Sequence, residues 1–88
     1  EPGRHQGAAQ DARRAVDLLL KVAEPGTFSS TLGRAYLALG RALGSQGEGE
    51  QARQALGSAF ENLKAALGAD HPDTRAAMEL LDSAAQPH

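Results

Sequence analysis

Residues 67–80 read LGADHPDTRAAMEL, and this stretch decides the fold. A glycine, a histidine, a proline and two aspartates stand together between two alanine-rich segments. Gly68 follows Leu67, the last periodic residue of the preceding segment, and a glycine there can take the left-handed conformation that ends a helix. Pro72 suits the first turn of the next helix, where its missing N–H would have no intrahelical partner. Asp70 is placed to cap that turn by accepting from a free backbone N–H, with Asp73 as an acidic first-turn residue. Asp70, His71 and Asp73 also offer carboxylate and imidazole groups of the kind that bind metal. They are, however, sequence neighbours at a helix start, and the other histidines, His5 and His88, stand near the two ends of the chain. The stretch is therefore expected to be a boundary between two helices, with no metal and no cofactor.

Similar punctuation recurs at 24–26 (EPG) and 44–50 (GSQGEGE). The breaks leave four segments, at about 8–23, 29–45, 48–67 and 71–85, whose apolar residues follow i, i+3, i+4, i+7 spacing. None alternates as a strand would. Ala12, Val16 and Leu19 mark the first, Leu32, Tyr36, Leu39 and Leu43 the second, Ala52, Leu56, Ala59 and Leu63 the third, and Ala77, Met78 and Leu81 the fourth. Short connections make consecutive helices antiparallel neighbours. Residues 1–7 are expected to form a flexible segment ahead of a helical domain over 8–86.

Composition narrows the function. The 88 residues suffice for one small domain, with two Phe, one Tyr and no Trp to fill its core. Alanine lets helix axes come close and has the highest helix propensity. The net charge of -2 argues against nucleic acid, which is held mainly by neutralising phosphates. No apolar run approaches a membrane-spanning length, and no helix has a continuous basic face to lie on a membrane. Gly-x-Ser-x-Gly, phosphate-loop and His-Glu-x-x-His motifs are all missing. Glu1 is not an initiator methionine, so the sequence is expected to be a piece of a longer protein. It is expected to be cytoplasmic and not an enzyme.

The segments also repeat. DARRAVDLLLKV (11–22) aligns with QARQALGSAFEN (51–62) at an offset of forty, pairing Ala12 with Ala52, Arg13 with Arg53, Ala15 with Ala55, Val16 with Leu56 and Leu19 with Ala59. Tyr36, Leu39 and Leu43 precede Met78, Leu81 and Ala85 by forty-two. A period near forty with two helices per unit is that of a helical solenoid. The stretch 33–74 resembles a tetratricopeptide repeat: Tyr36, Leu39, Gly40 and Leu43 stand at its first-helix positions, Gly47 at its turn, and Ala52, Leu56 and Ala59 at its second-helix positions. The ALGADHPDT ending is similar to the kinesin light chain type. The resemblance implies an all-α fold of antiparallel helix pairs stacked as a short right-handed solenoid, one full unit with a half on either side.

It also implies a non-catalytic interaction module, whose first helices line a groove for a protein or peptide. Arg34, Leu37, Ala38, Arg41 and Ser45 would face that groove, continued by Glu79, Ser83 and Gln86. Arg34 and Arg41, seven apart, lie on one side of their helix and could hold an acidic group. The family's paired asparagines are replaced by Leu37-Ala38 and Glu79-Leu80, so an apolar guest fits equally. Asp82 takes the place of a small residue, as suits the carboxy-terminal end of an array, whose outer face must be polar. Leu18 and Leu20 exceed what one apolar stripe needs and suggest a lost neighbour or self-association. The alternative is a regulatory appendage of an enzyme, its groove filled by the parent chain.

Overall fold

Particular backbone bonds set the helix boundaries. In the computed structural model, which describes residues 4–23 and 28–85 and the side chains of 7–23 and 28–83, the chain forms α1 (Arg4–Val22), α2 (Ser30–Ser45), α3 (Gly49–Leu67) and α4 (Pro72–Ala85). The fold is all-α, and no strand occurs among the described residues. Ser29, in extended conformation, caps α2 through its Oγ, which accepts from Leu32 N–H at 3.2 Å. At the other end of α2 the Glu48 N–H donates to Leu43 O at 2.9 Å and the Gly47 N–H to Gly44 O at 3.1 Å, while Gly47 takes φ 81. This is the Schellman arrangement, and it satisfies two carbonyls that the helix leaves without partners.

Three local expectations change. α1 starts at Arg4 rather than at 8, because a polar stretch containing Arg and Gln is not a helix breaker. Gly68 ends α3 with φ 95 and ψ 158, an extended positive-φ region open essentially to glycine alone, rather than the left-handed helical one. His71, not Asp70, caps α4: its Nδ1 accepts from Asp73 N–H at 3.1 Å. Pro72 is already the first helical residue, so the cap position falls on the residue before it. The break expected at 24–26 and the groove residue Gln86 lie outside the described residues.

The helices stack in series. α2 packs against α1 and α3, α3 packs against α4, and α2 touches α4; among the described residues the α1 backbone approaches neither α3 nor α4. A closed four-helix bundle would bring α1 and α4 together, and this fold does not. The apolar interior divides accordingly. One cluster joins Val16 of α1 to Leu39 and Leu43 of α2 and to Ala52 and Ala55 of α3. The other joins Leu37 of α2 to Leu56, Ala59 and Leu63 of α3 and to Ala77 of α4.

The forty-residue correspondence holds in space. Val16 and Leu56 are both buried, and Arg13 and Arg53 are both exposed. Ala12, Ala15 and Leu19 are half-buried where Ala52, Ala55 and Ala59 are buried. The faces match; their covering differs, because α3 lies between two helices and α1 has one. The forty-two-residue set behaves alike: Leu39 is buried between α1 and α3, while Leu81 is half-buried and Met78 half-exposed on α4.

Two bare positions bring α2 and α3 together. A Cβ on Gly33 would come within 2.7 Å of Leu63 Cγ, and one on Gly40 within 2.6 Å of Leu56 Cγ and Cδ2. Both glycines and both leucines are seven apart, so two leucine knobs enter two glycine sockets along one antiparallel seam. Asn62 latches the end of that seam. Its Oδ1 accepts from Ser29 N–H at 3.1 Å and its Nδ2 donates to Ser58 O at 2.9 Å, which allows an amide to be buried.

Thr74, in the first turn of α4, is fully buried and its hydroxyl has no hydrogen-bond partner among the described residues. Thr74→Val keeps the shape and removes the unsatisfied group. We expect it to stabilise the domain by about 1 kcal/mol in urea unfolding. A loss of similar size would show that the hydroxyl is satisfied in solution.

Candidate functional site

α2 and α4 run parallel, and their N-terminal ends are tied. Arg34 Nε donates to Asp73 Oδ2 at 2.8 Å, bridging residues 39 apart in sequence. The hydrogen bond from Arg34 holds the Asp73 carboxyl below its ordinary value, against an opposing desolvation penalty and with help from the charges of Arg34 and Arg41. A carboxyl whose folded value is lowered adds stability above its unfolded value, and that stability is lost as pH falls through the folded one. The urea midpoint of the wild type should therefore exceed that of Asp73→Asn at neutral pH. The gap should close in the acid range below about pH 5. A gap independent of pH would exclude the ion pair as its cause.

Beyond this tie the C-terminal halves of α2 and α4 leave a groove of about 610 Å³. Its floor is Ala52 and Leu56 of α3. Gly40, Arg41, Gly44 and Ser45 form the α2 wall, and Leu80 and Ser83 the α4 wall. The glycines make this space in two ways. Gly40 draws α3 in close enough for Leu56 to form the floor, while Gly44, with no described residue beyond its own turn within 4 Å of where its Cβ would be, leaves the wall open. Arg41 is the one charged residue of the lining among the described residues. Apolar surface beneath a single guanidinium can bury a leucine-sized side chain and hold a neighbouring carboxylate in two hydrogen bonds.

The expected groove residues separate into groups. Arg41, Ser45 and Ser83 line the groove. Ala38 and Glu79 are exposed on α2 and α4 but do not line it. Arg34 stands at the tied end with its Nε committed to Asp73, so it does not form a two-arginine clamp with Arg41 inside the groove. Leu37 needs correction. It is 7% exposed and packed in the second core cluster, because α4 brings Ala77 to that side of α2. It is a core residue, unable to meet a guest in this fold.

Some of what builds the site is not legible along the chain. The socket role of Gly33 and Gly40 has a sequence signal, seven-residue spacing matched by Leu56 and Leu63, that goes unread without the antiparallel register. Asn62 and the Arg34–Asp73 pair have none, since each joins elements distant in sequence. A smaller cleft of about 220 Å³ lies between α1 and α3, bordered by Arg13, Tyr36 and Ser58. The Arg13 guanidinium donates to Gln51 Oε1 across it at 3.3 Å.

Asp70, His71 and Asp73 do not converge on a shared point. His71 Nδ1 is used by the α4 cap and Asp73 by Arg34. Among the described residues no group of three or more His, Asp or Glu is arranged to hold a metal ion. No helix of the described residues is long and apolar enough to cross a membrane. Comparison of the chain with models of known protein families, with curated proteins and with solved structures finds no match.

Proposed function

We propose that this chain is a non-catalytic interaction module of the tetratricopeptide type, which docks a protein segment in the groove between α2 and α4. The observation that carries the reading is the groove itself: an apolar floor of Ala52 and Leu56 with Leu80 on the α4 wall, beside the Arg41 guanidinium, which makes no ion pair with a described residue. The serial stacking of helices and the forty-residue correspondence of their faces support the repeat assignment. The guest is a peptide with a leucine-sized side chain next to a carboxylate. Affinity comes from burying the first, and orientation from the second.

Titration of the isotopically labelled protein with a synthetic peptide containing a Leu-Asp pair tests this. The amide signals of Arg41, Ser45, Leu80 and Ser83 should move together, and Arg41→Glu should weaken binding at least tenfold without loss of helix content. Movement confined to α1, or binding indifferent to Arg41→Glu, would remove the reading.

A further inference from the structure

Arg41 and Ser45 are four apart on α2, one above the other on the same face, and both line the groove. Ser45 is the last residue of α2 and is exposed. Gln46, Gly47 and Glu48 after it lie outside the helix, and Gly44 before it weakens the last turn. A helix end opens locally far more readily than its middle, so the Ser45 hydroxyl can be presented to another enzyme without opening the core. Its sequence setting differs from that of the other hydroxyls. Glu48 and Glu50 follow Ser45 at the third and fifth positions. Of the other described serines and threonines only Ser58 has an acidic residue three places on, Glu61, and Ser58 is half-buried in the middle of α3. Thr31 and Ser83 are also exposed, but Arg34 and Gln86 stand at that position after them. An enzyme with a basic substrate cleft selects Ser45 by charge.

The charges around the groove leave room for a phosphate there. Arg41 makes no ion pair with a described residue. Glu48, the nearest acid in sequence, accepts from Gln51 Nε2 at 3.2 Å and lies in a cleft against α1, not in the groove. Glu79 and Asp82 stand beside the α4 wall and Arg53 beside the floor; all three are exposed and none lines the groove. A phosphate on Ser45 would carry about −1.5 to −2 charges at neutral pH, more than the single charge of a guest carboxylate. It would also be tethered one turn from Arg41, so it competes as an intramolecular group. The helix dipole opposes negative charge at this end of α2, and Arg41 is the group that offsets it.

We infer that Ser45 is a phosphorylation site for an acid-directed serine kinase, and that its phosphate takes the Arg41 guanidinium and closes the groove to a guest. In the transfer Ser45 Oγ forms a bond to the γ-phosphorus of ATP, the bond from that phosphorus to the β–γ bridging oxygen breaks, ADP leaves, and the hydroxyl proton passes to the kinase's base. Closure of the groove rests on its being the docking site; the modification and the contact with Arg41 do not.

Incubation of the whole chain with ATP and a purified acid-directed serine kinase, mapped by mass spectrometry, tests this. One phosphate at Ser45 is expected, and none in Ser45→Ala. Phosphorylation should weaken binding of the Leu-Asp peptide about tenfold or more. It should also lower the urea midpoint further in Arg41→Gln than in the wild type, because the dipole is then unopposed. That difference needs no peptide. Failure of the unmodified chain to bind the peptide would thus count against the docking reading, while the midpoints still decide the contact between phosphate and Arg41. Phosphate placed on other residues or on none, equal midpoint shifts in the two backgrounds, or a phosphorylated chain that binds the peptide as tightly as the unmodified one would overturn the inference.

Discussion

Leu63→Ala is expected to destabilise the domain by about 2–5 kcal/mol, the usual cost of truncating a buried leucine. The upper half of that range applies here. Leu63 is 0% exposed, and it fills the Gly33 socket while also joining the cluster that attaches α4 to α3. The lost side chain leaves a cavity that the surroundings cannot close, since Gly33 has no side chain to move into it. Stability of a domain this size is about 4–13 kcal/mol, so a large fraction of it goes. Urea unfolding followed by circular dichroism measures the change, and a loss under about 1 kcal/mol would mean that the seam rearranges freely. Gly33→Ala added to Leu63→Ala should restore part of the loss, because the clashing Cγ and Cδ2 atoms are gone.

The second large effect runs against helix propensity. Alanine is more favourable than glycine inside a helix by about 1 kcal/mol, so Gly40→Ala would stabilise an isolated α2. In the folded chain the new methyl would lie 2.6 Å from Leu56 Cγ and Cδ2, with Ala52 O at 3.4 Å limiting retreat. Overpacking of this kind costs about 1–3 kcal/mol, so after the propensity gain a net destabilisation of up to about 2 kcal/mol is expected. Gly57→Ala in α3 is the control, since nothing lies within 4 Å of its Cβ position and the change should stabilise by about 0.5–1 kcal/mol. A double-mutant cycle with Leu56→Ala isolates the clash. The two changes together should cost less than their sum, by about 1 kcal/mol or more. Strict additivity would place the cost elsewhere than in the Gly40–Leu56 contact.

Both effects arise from the seam that also makes the groove. If α3 moves away from α2 in Gly40→Ala, the floor formed by Ala52 and Leu56 moves with it. Binding of the Leu-Asp peptide should then weaken even though Arg41 is untouched. Gly40 therefore links stability to the proposed recognition.

The residues between Leu67 and Asp73 were legible because their roles are local. Gly68 ends a helix and Pro72 begins one by steric rules acting on a few neighbouring atoms. Even there the cap falls one residue later than expected, since His71 rather than Asp70 stands directly before Pro72 and an imidazole nitrogen can accept as a carboxylate does. The partners of Arg34 and Leu37 are not legible in this local way. Helical periodicity assigns residues to faces, and it does not say which neighbouring helix covers each face.

Four helices, their approximate ends and the forty-residue period were determined by the sequence itself, through side-chain spacing and through the backbone freedom or restriction of Gly and Pro. Which glycines accept leucines, which carboxylate neutralises Arg34, and whether α1 meets α4 were decided only in the tertiary structure. The first two depend on distances between residues 16 to 39 positions apart in sequence. Such distances follow from the packing of all four helices together, and along the α2–α3 seam the close approach is permitted by the missing side chains of Gly33 and Gly40.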